Sequence, residues 1–96
     1  MFFGSSINVL ENNIASFKIY PNPAQDNIEI DLGNLYFTNN WHYKISNIIG
    51  QQLNSGLITS KLTNVNLNNI QGKGIYFVNI YDNLNHLVQT KKLIIK

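Results

Sequence analysis

The sequence predicts an all-β domain, an immunoglobulin-like β-sandwich of about seven antiparallel strands. Three observations lead there. Apolar residues alternate with polar ones in short runs, and helical spacing is hard to find. The runs are separated by Asn, Gly, Ser and Pro, residues that turn a chain. A length of 96 residues with 44% hydrophobic content suffices for one packed core without cross-links.

The first run is Ser16-Phe17-Lys18-Ile19-Tyr20, ended by Pro21-Asn22-Pro23. Each proline lacks a ladder donor and pushes its predecessor towards an extended conformation, so this segment turns a corner or lies at a sheet edge. In 27–32, Ile28, Ile30 and Leu32 face one side and Glu29 and Asp31 the other, the cleanest alternation in the chain. Gly33 to Asn40 reads as a loop. A strand from Trp41 to Ile48 sets Trp41, Tyr43 and Ile45 against His42, Lys44 and Ser46. Gly50 permits a tight turn into Gln51 to Thr59, where Ser55-Gly56 suggests a bulge or kink.

A short strand around Val65 to Leu67 leads to a turn at Gly72-Lys73-Gly74. Ile75 to Tyr81 is apolar on both faces, as expected of a central strand under cover. The turn Asp82-Asn83-Leu84-Asn85 then makes a hairpin with the last strand, His86 to Lys96. The domain is expected to run from residue 14 to 96, with 1 to 13 a lead-in or linker.

Composition excludes several functions. Without cysteine there are no disulfides, thiolate metal sites or thiol nucleophiles. Only 12% of residues are charged, the net charge is +2, and all seven basic residues are lysine. A nucleic-acid binder concentrates Lys and Arg on one face, so nucleic acid is not an expected partner. No apolar run reaches the roughly 18 residues that span a membrane as a helix. The start, Met1 to Ser6, lacks the basic region and apolar length of a signal peptide, so export would rely on a signal carried by a longer parent chain.

The residues that could carry chemistry each have a simpler explanation. Glu29 and Asp31 sit two apart on one strand face, but acid–base work needs carboxylates in different environments. His42 and His86 are the only imidazoles, and zinc needs three or four ligands. Asp82-Asn83-Leu84-Asn85 offers several oxygens, fewer than the six to eight that calcium takes, and suits a hairpin turn. Gly72-Lys73-Gly74 lacks the rest of a phosphate loop and leads into a strand. No serine lies in a nucleophile motif. Trp41, Tyr43, Tyr76, Phe77 and Tyr81 would stack sugars if exposed, but build the core of a small sandwich more readily. The chain is therefore expected to be no enzyme and to need no cofactor or metal. Its ending stands out: Lys91, Lys92 and Lys96 flank Leu93, Ile94 and Ile95 on a terminal strand. Lysine guards an edge strand against promiscuous pairing, while leaving it open to a chosen partner by strand addition.

Three segments in order carry a resemblance. They are Tyr20-Pro21-Asn22-Pro23, then 47–53 (Asn-Ile-Ile-Gly-Gln-Gln-Leu), then 74–80 (Gly-Ile-Tyr-Phe-Val-Asn-Ile) leading to 91–96 (Lys-Lys-Leu-Ile-Ile-Lys). Together they resemble the C-terminal sorting domain, type A, of the Bacteroidetes type IX (Por) secretion system. One departure is Asn47, where the family often has Asp; asparagine can make a similar turn bond.

The resemblance implies an address at the end of a fused N-terminal cargo. That cargo would cross the inner membrane to the periplasm on an ordinary signal peptide. An outer-membrane translocon and its shuttle protein would then recognise the domain. A sortase-like cysteine protease would remove it at the cell surface and join the cargo to anionic lipopolysaccharide, while other cargo is secreted to the medium. The cut would fall at or before the lead-in, with Met1 to Ser16 containing or following it. Pro21, Asn22, Pro23, Gly50, Gly74 and Tyr76 match the family motifs. Lys91, Lys92, Leu93, Ile94, Ile95 and Lys96 match the terminal segment on which recognition depends. The alternative is a carbohydrate-binding or adhesive sandwich module that uses Trp41 or Tyr43.

Overall fold

The computed structural model describes residues 16–33, 35 and 40–96; the expected lead-in, 1–13, lies outside them, as does most of the loop from Gly33 to Asn40. Seven strands are present: β1 (Lys18–Tyr20), β2 (Asn27–Asp31), β3 (Trp41–Asn47), β4 (Gln52–Ile58), β5 (Leu62–Asn66), β6 (Gly74–Tyr81) and β7 (Leu87–Ile95). They form a three-stranded sheet, β1-β2-β5, and a four-stranded sheet, β4-β3-β6-β7, with every strand pairing antiparallel. This is the order of an immunoglobulin-like sandwich in which the fourth strand joins the second sheet beside the third.

Alternation places the core. Ile28, Ile30 and Leu32 from one sheet meet Trp41, Tyr43, Ile45, Tyr76, Val78, Ile80, Leu93 and Ile95 from the other. Phe17, Ala24, Ile58, Val65, Leu67 and Ile70 close its margins, and no polar side chain is buried among the described residues. β5 begins at Leu62, earlier than expected, because Asn64 and Asn66 face solvent and only Val65 in this strand is buried.

Two expectations need correction. Ser55-Gly56 is neither bulge nor kink: β4 runs through it in register, with Gly56 opposite Tyr43. A Cβ on Gly56 would lie 2.7 Å from Tyr43 Oη, so glycine is there to let the buried tyrosine lie across the strand. β6 is central in its sheet, but among the described residues only one of its faces is covered. Phe77 and Tyr81 are half-buried on the other face, and Ile75 is 46% exposed.

The real bulges sit just beyond the two hairpin turns, and both hairpins are built alike. In the β3–β4 turn, Asn47 Oδ1 accepts from Ile49 N (3.1 Å) and Gln51 N (2.9 Å), and Gly50 takes φ of 89°. In the β6–β7 turn, Asp82 Oδ1 accepts from Leu84 N and His86 N, both at 2.9 Å, and Asn85 takes φ of 67°. Six residues after each turn's Asn or Asp the register slips, leaving Leu53 and Val88 unpaired and packed against the core. Asn47 thus makes the side-chain turn bonds expected of it.

Candidate functional site

Alternation divides the terminal segment. Lys91, Leu93 and Ile95 point towards the other sheet, where Leu93 and Ile95 are buried and Lys91 Nζ lies 5.9 Å from the Phe17 ring centroid. Lys92 is exposed on the outer face of the four-stranded sheet, cross-strand from Phe77, and Ile94 is half-buried there, cross-strand from Ile75. Lys96 follows the strand into an open cleft with Pro21, Pro23 and Asp26.

β7 is the last strand of its sheet, yet the end of its outer edge is occupied. Asn22 Nδ2 donates to Lys92 O at 3.0 Å, and Ile94 N donates to Asn22 Oδ1 at 3.0 Å. Ala24 N donates to Ile94 O, and Lys96 N donates to Ala24 O, both at 2.8 Å. Ala24 therefore makes a parallel bridge to Ile95, and the chain changes sheets between β1 and Ala24. The corner expected at Pro21-Asn22-Pro23 is a clasp that closes over the end of β7. Pro21 and Pro23 have no N–H, which limits what this outermost segment offers to a further strand. The expectation of a backbone edge open to strand addition is corrected at Lys92, Ile94 and Lys96, whose outward groups include these four bonds. The motif at 21–23 and the terminal segment are one structural unit.

Gly74 and Tyr76 have a fold role. The Tyr76 hydroxyl donates to Gly72 O at 2.8 Å, four residues upstream, while its ring is buried. A tyrosine at the start of this strand that bonds back to the preceding corner is a hallmark of immunoglobulin-like sandwiches. Gly72 and Gly74 take φ of 106° and 137°, so the Gly72-Lys73-Gly74 turn depends on both glycines.

The remaining sequence candidates do not converge. Glu29 accepts from Asn64 Nδ2 at 3.3 Å and Asp31 from Gly33 N at 2.8 Å, so each carboxylate has its own partner. His42 stacks on Tyr81 with ring centroids 5.0 Å apart, and Lys44 Nζ lies 4.8 Å from the same ring. His86 is exposed beside Asp82. The Asp82 carboxyl is held below its usual value, chiefly by the His86 N–H with help from Leu84 N–H, so its oxygens serve the turn. Among the described residues no cluster of His, Cys, Asp or Glu could hold a metal ion. Trp41 and Tyr43 are buried, which removes the exposed aromatic platform that the carbohydrate-binding alternative needs. Sequence reasoning missed two features: the Asn22–Ala24 clasp, and Ile48 and Ile49, which are 71% and 81% exposed at a turn.

Fold and geometry define an immunoglobulin-like sandwich whose last strand is held by the segment following its first. Comparison with known proteins agrees on what such a domain is. The sequence pattern of the secretion system C-terminal sorting domain matches residues 18–96. The chain belongs to that family, whose members act as C-terminal signals for type IX secretion on a fused cargo, with a cell-surface or secreted fate. Among solved structures, the chain is similar to PorZ, described as an essential bacterial surface component of the type IX secretion system of Porphyromonas gingivalis. The TM-score is 0.69 at 18% identity, over 84% of this chain and 11% of PorZ, a likeness of fold. No curated protein matches the sequence.

Proposed function

We propose that this domain is the address by which a larger cargo passes from the periplasm across the outer membrane, and that the address is the clasped end of β7. The partners in this reading are the type IX outer-membrane translocon and its shuttle protein. A sortase-like cysteine protease then removes the domain from anchored cargo at the surface, and other cargo is released. The domain carries out no catalysis of its own; cleavage chemistry belongs to the protease. One observation carries the reading beyond family membership. Two motifs about seventy residues apart, at 21–23 and 91–96, are joined by two hydrogen bonds of Asn22, and the adjoining Ala24 adds the other two of the clasp. The terminal strand is thereby presented in one fixed form, with Lys92 and Lys96 exposed. Because Asn22 and Ala24 occupy the edge, recognition falls to side chains more than to free backbone groups.

Truncating Leu93 to Lys96 would test this poorly, since it also removes Leu93 and Ile95 from the core. The better experiment keeps the strand. A periplasmic reporter with this domain at its C-terminus is expressed in a bacterium with the type IX system and in an isogenic strain lacking its translocon. Delivery to the surface or medium is expected only in the first strain. Retention in the periplasm of both would refute the reading.

A further inference from the structure

The outer face of the four-stranded sheet carries an apolar patch that no described residue packs over. In the β3–β4 turn, Asn47 and Gly50 shape the backbone, and polar residues at 48 and 49 would serve that turn equally well. Ile48 is instead 71% exposed. It lines an open hollow of about 420 Å³ with Ile75, itself 46% exposed, and Lys73. From Ile75 the apolar surface continues to Ile94 across the β6–β7 pair, with Phe77 next along β6 and Lys92 opposite it. A single exposed isoleucine needs no explanation, but a contiguous patch on one face does.

Charge around the patch has one sign. Lys73 and Lys92 border it, and no described carboxylate lies with them. Asp26, Glu29 and Asp31 belong to the other sheet or its approach, and Asp82 is bound into the β6–β7 turn at the opposite end of β6. Such a surface complements an apolar side chain flanked by carboxylates, and repels a cationic one. The clasp leaves Lys92 and Ile94 displayed on this same face.

We infer that the surface formed by Ile48, Lys73, Ile75, Phe77, Lys92 and Ile94 docks an acidic protein segment that presents an apolar side chain between carboxylates. The inference rests on the export reading and names the chemistry of the partner that reads the address. It also assigns work to Ile48, Lys73, Ile75 and Phe77, which lie outside the terminal segment.

The test uses the reporter fusion in the strain that has the secretion system. The variant Ile48→Ser/Lys73→Glu changes two exposed positions on the surface. Its control, Lys61→Glu/Leu62→Ser, makes the same changes of charge and polarity at exposed positions on the other sheet. Both purified domains should keep the wild-type melting temperature within a few degrees, as surface substitutions do. The first variant should lower the exported fraction at least about tenfold, and the control less than about twofold. In a series at 73, Arg should export like Lys, Gln less well and Glu least. Export of Ile48→Ser/Lys73→Glu at the wild-type level would overturn the inference while leaving the address reading intact. So would an equal loss in the control, or Lys73→Glu matching Lys73→Arg, an exposed single change whose melting temperature should stay at the wild-type value. A concentration-dependent dimer in sedimentation, abolished by Ile48→Ser/Lys73→Glu, would assign the patch to self-association instead. A wild-type fusion left in the periplasm would remove the address reading, and this inference with it.

Discussion

Tyr76 ties the first residues of β6 to the corner before it through the bond from its hydroxyl to Gly72 O at 2.8 Å. Its ring is buried, so Tyr76→Phe keeps the packing and deletes only the oxygen. The expected cost is about 1–2 kcal/mol, because a hydrogen bond is lost and a carbonyl is left without this donor. Urea unfolding with an unchanged m-value would measure it, and a loss below about 0.5 kcal/mol would contradict the assignment. Gly56 shows why one residue can be legible in type and not in role. A glycine within a strand pattern means either a bulge or a close approach. The choice depends on Tyr43 lying directly opposite, a pairing made only when β3 and β4 register.

Hairpins, at the next scale, show what local pattern encodes and what it hides. The strong alternation of β2 and β3 and the β6–β7 hairpin are readable because side-chain direction in a strand repeats every two residues. The bulges at Leu53 and Val88 are encoded too, in the shared spacing from Asn47 and Asp82, but that spacing means little until both turns are seen to bond alike. The two turns should differ in acid. The folded state holds the Asp82 carboxyl below its unfolded value, so its contribution is full above that value. It is lost as pH falls through the lower, folded value. Asn47 does the same work without titrating. Asp82→Asn should therefore leave stability near pH 7 almost unchanged and flatten its decline below about pH 4, as read by thermal unfolding across pH. An acid limb identical to wild type would show that Asp82 does not set it.

Across the whole molecule, the sandwich was legible and its clasp was not. Core positions follow from periodicity, but Asn22 meets β7 through an amide side chain across some seventy residues, and Pro-Asn-Pro reads locally as a simple corner. The terminal strand accordingly looks like an open edge in sequence, and in the fold the end of that edge, from Lys92 to Lys96, is clasped. Asn22→Ala removes one bond to Lys92 O and one from Ile94 N. That should cost about 1–2 kcal/mol and speed hydrogen exchange at the Ile94 amide. If the secretion machine reads the strand in its clasped form, the reporter fusion carrying Asn22→Ala should be exported several-fold less than wild type, about the effect such a loss has on other proteins. Export equal to or greater than wild type would contradict the account, because it would mean the machine uses the strand with its edge free.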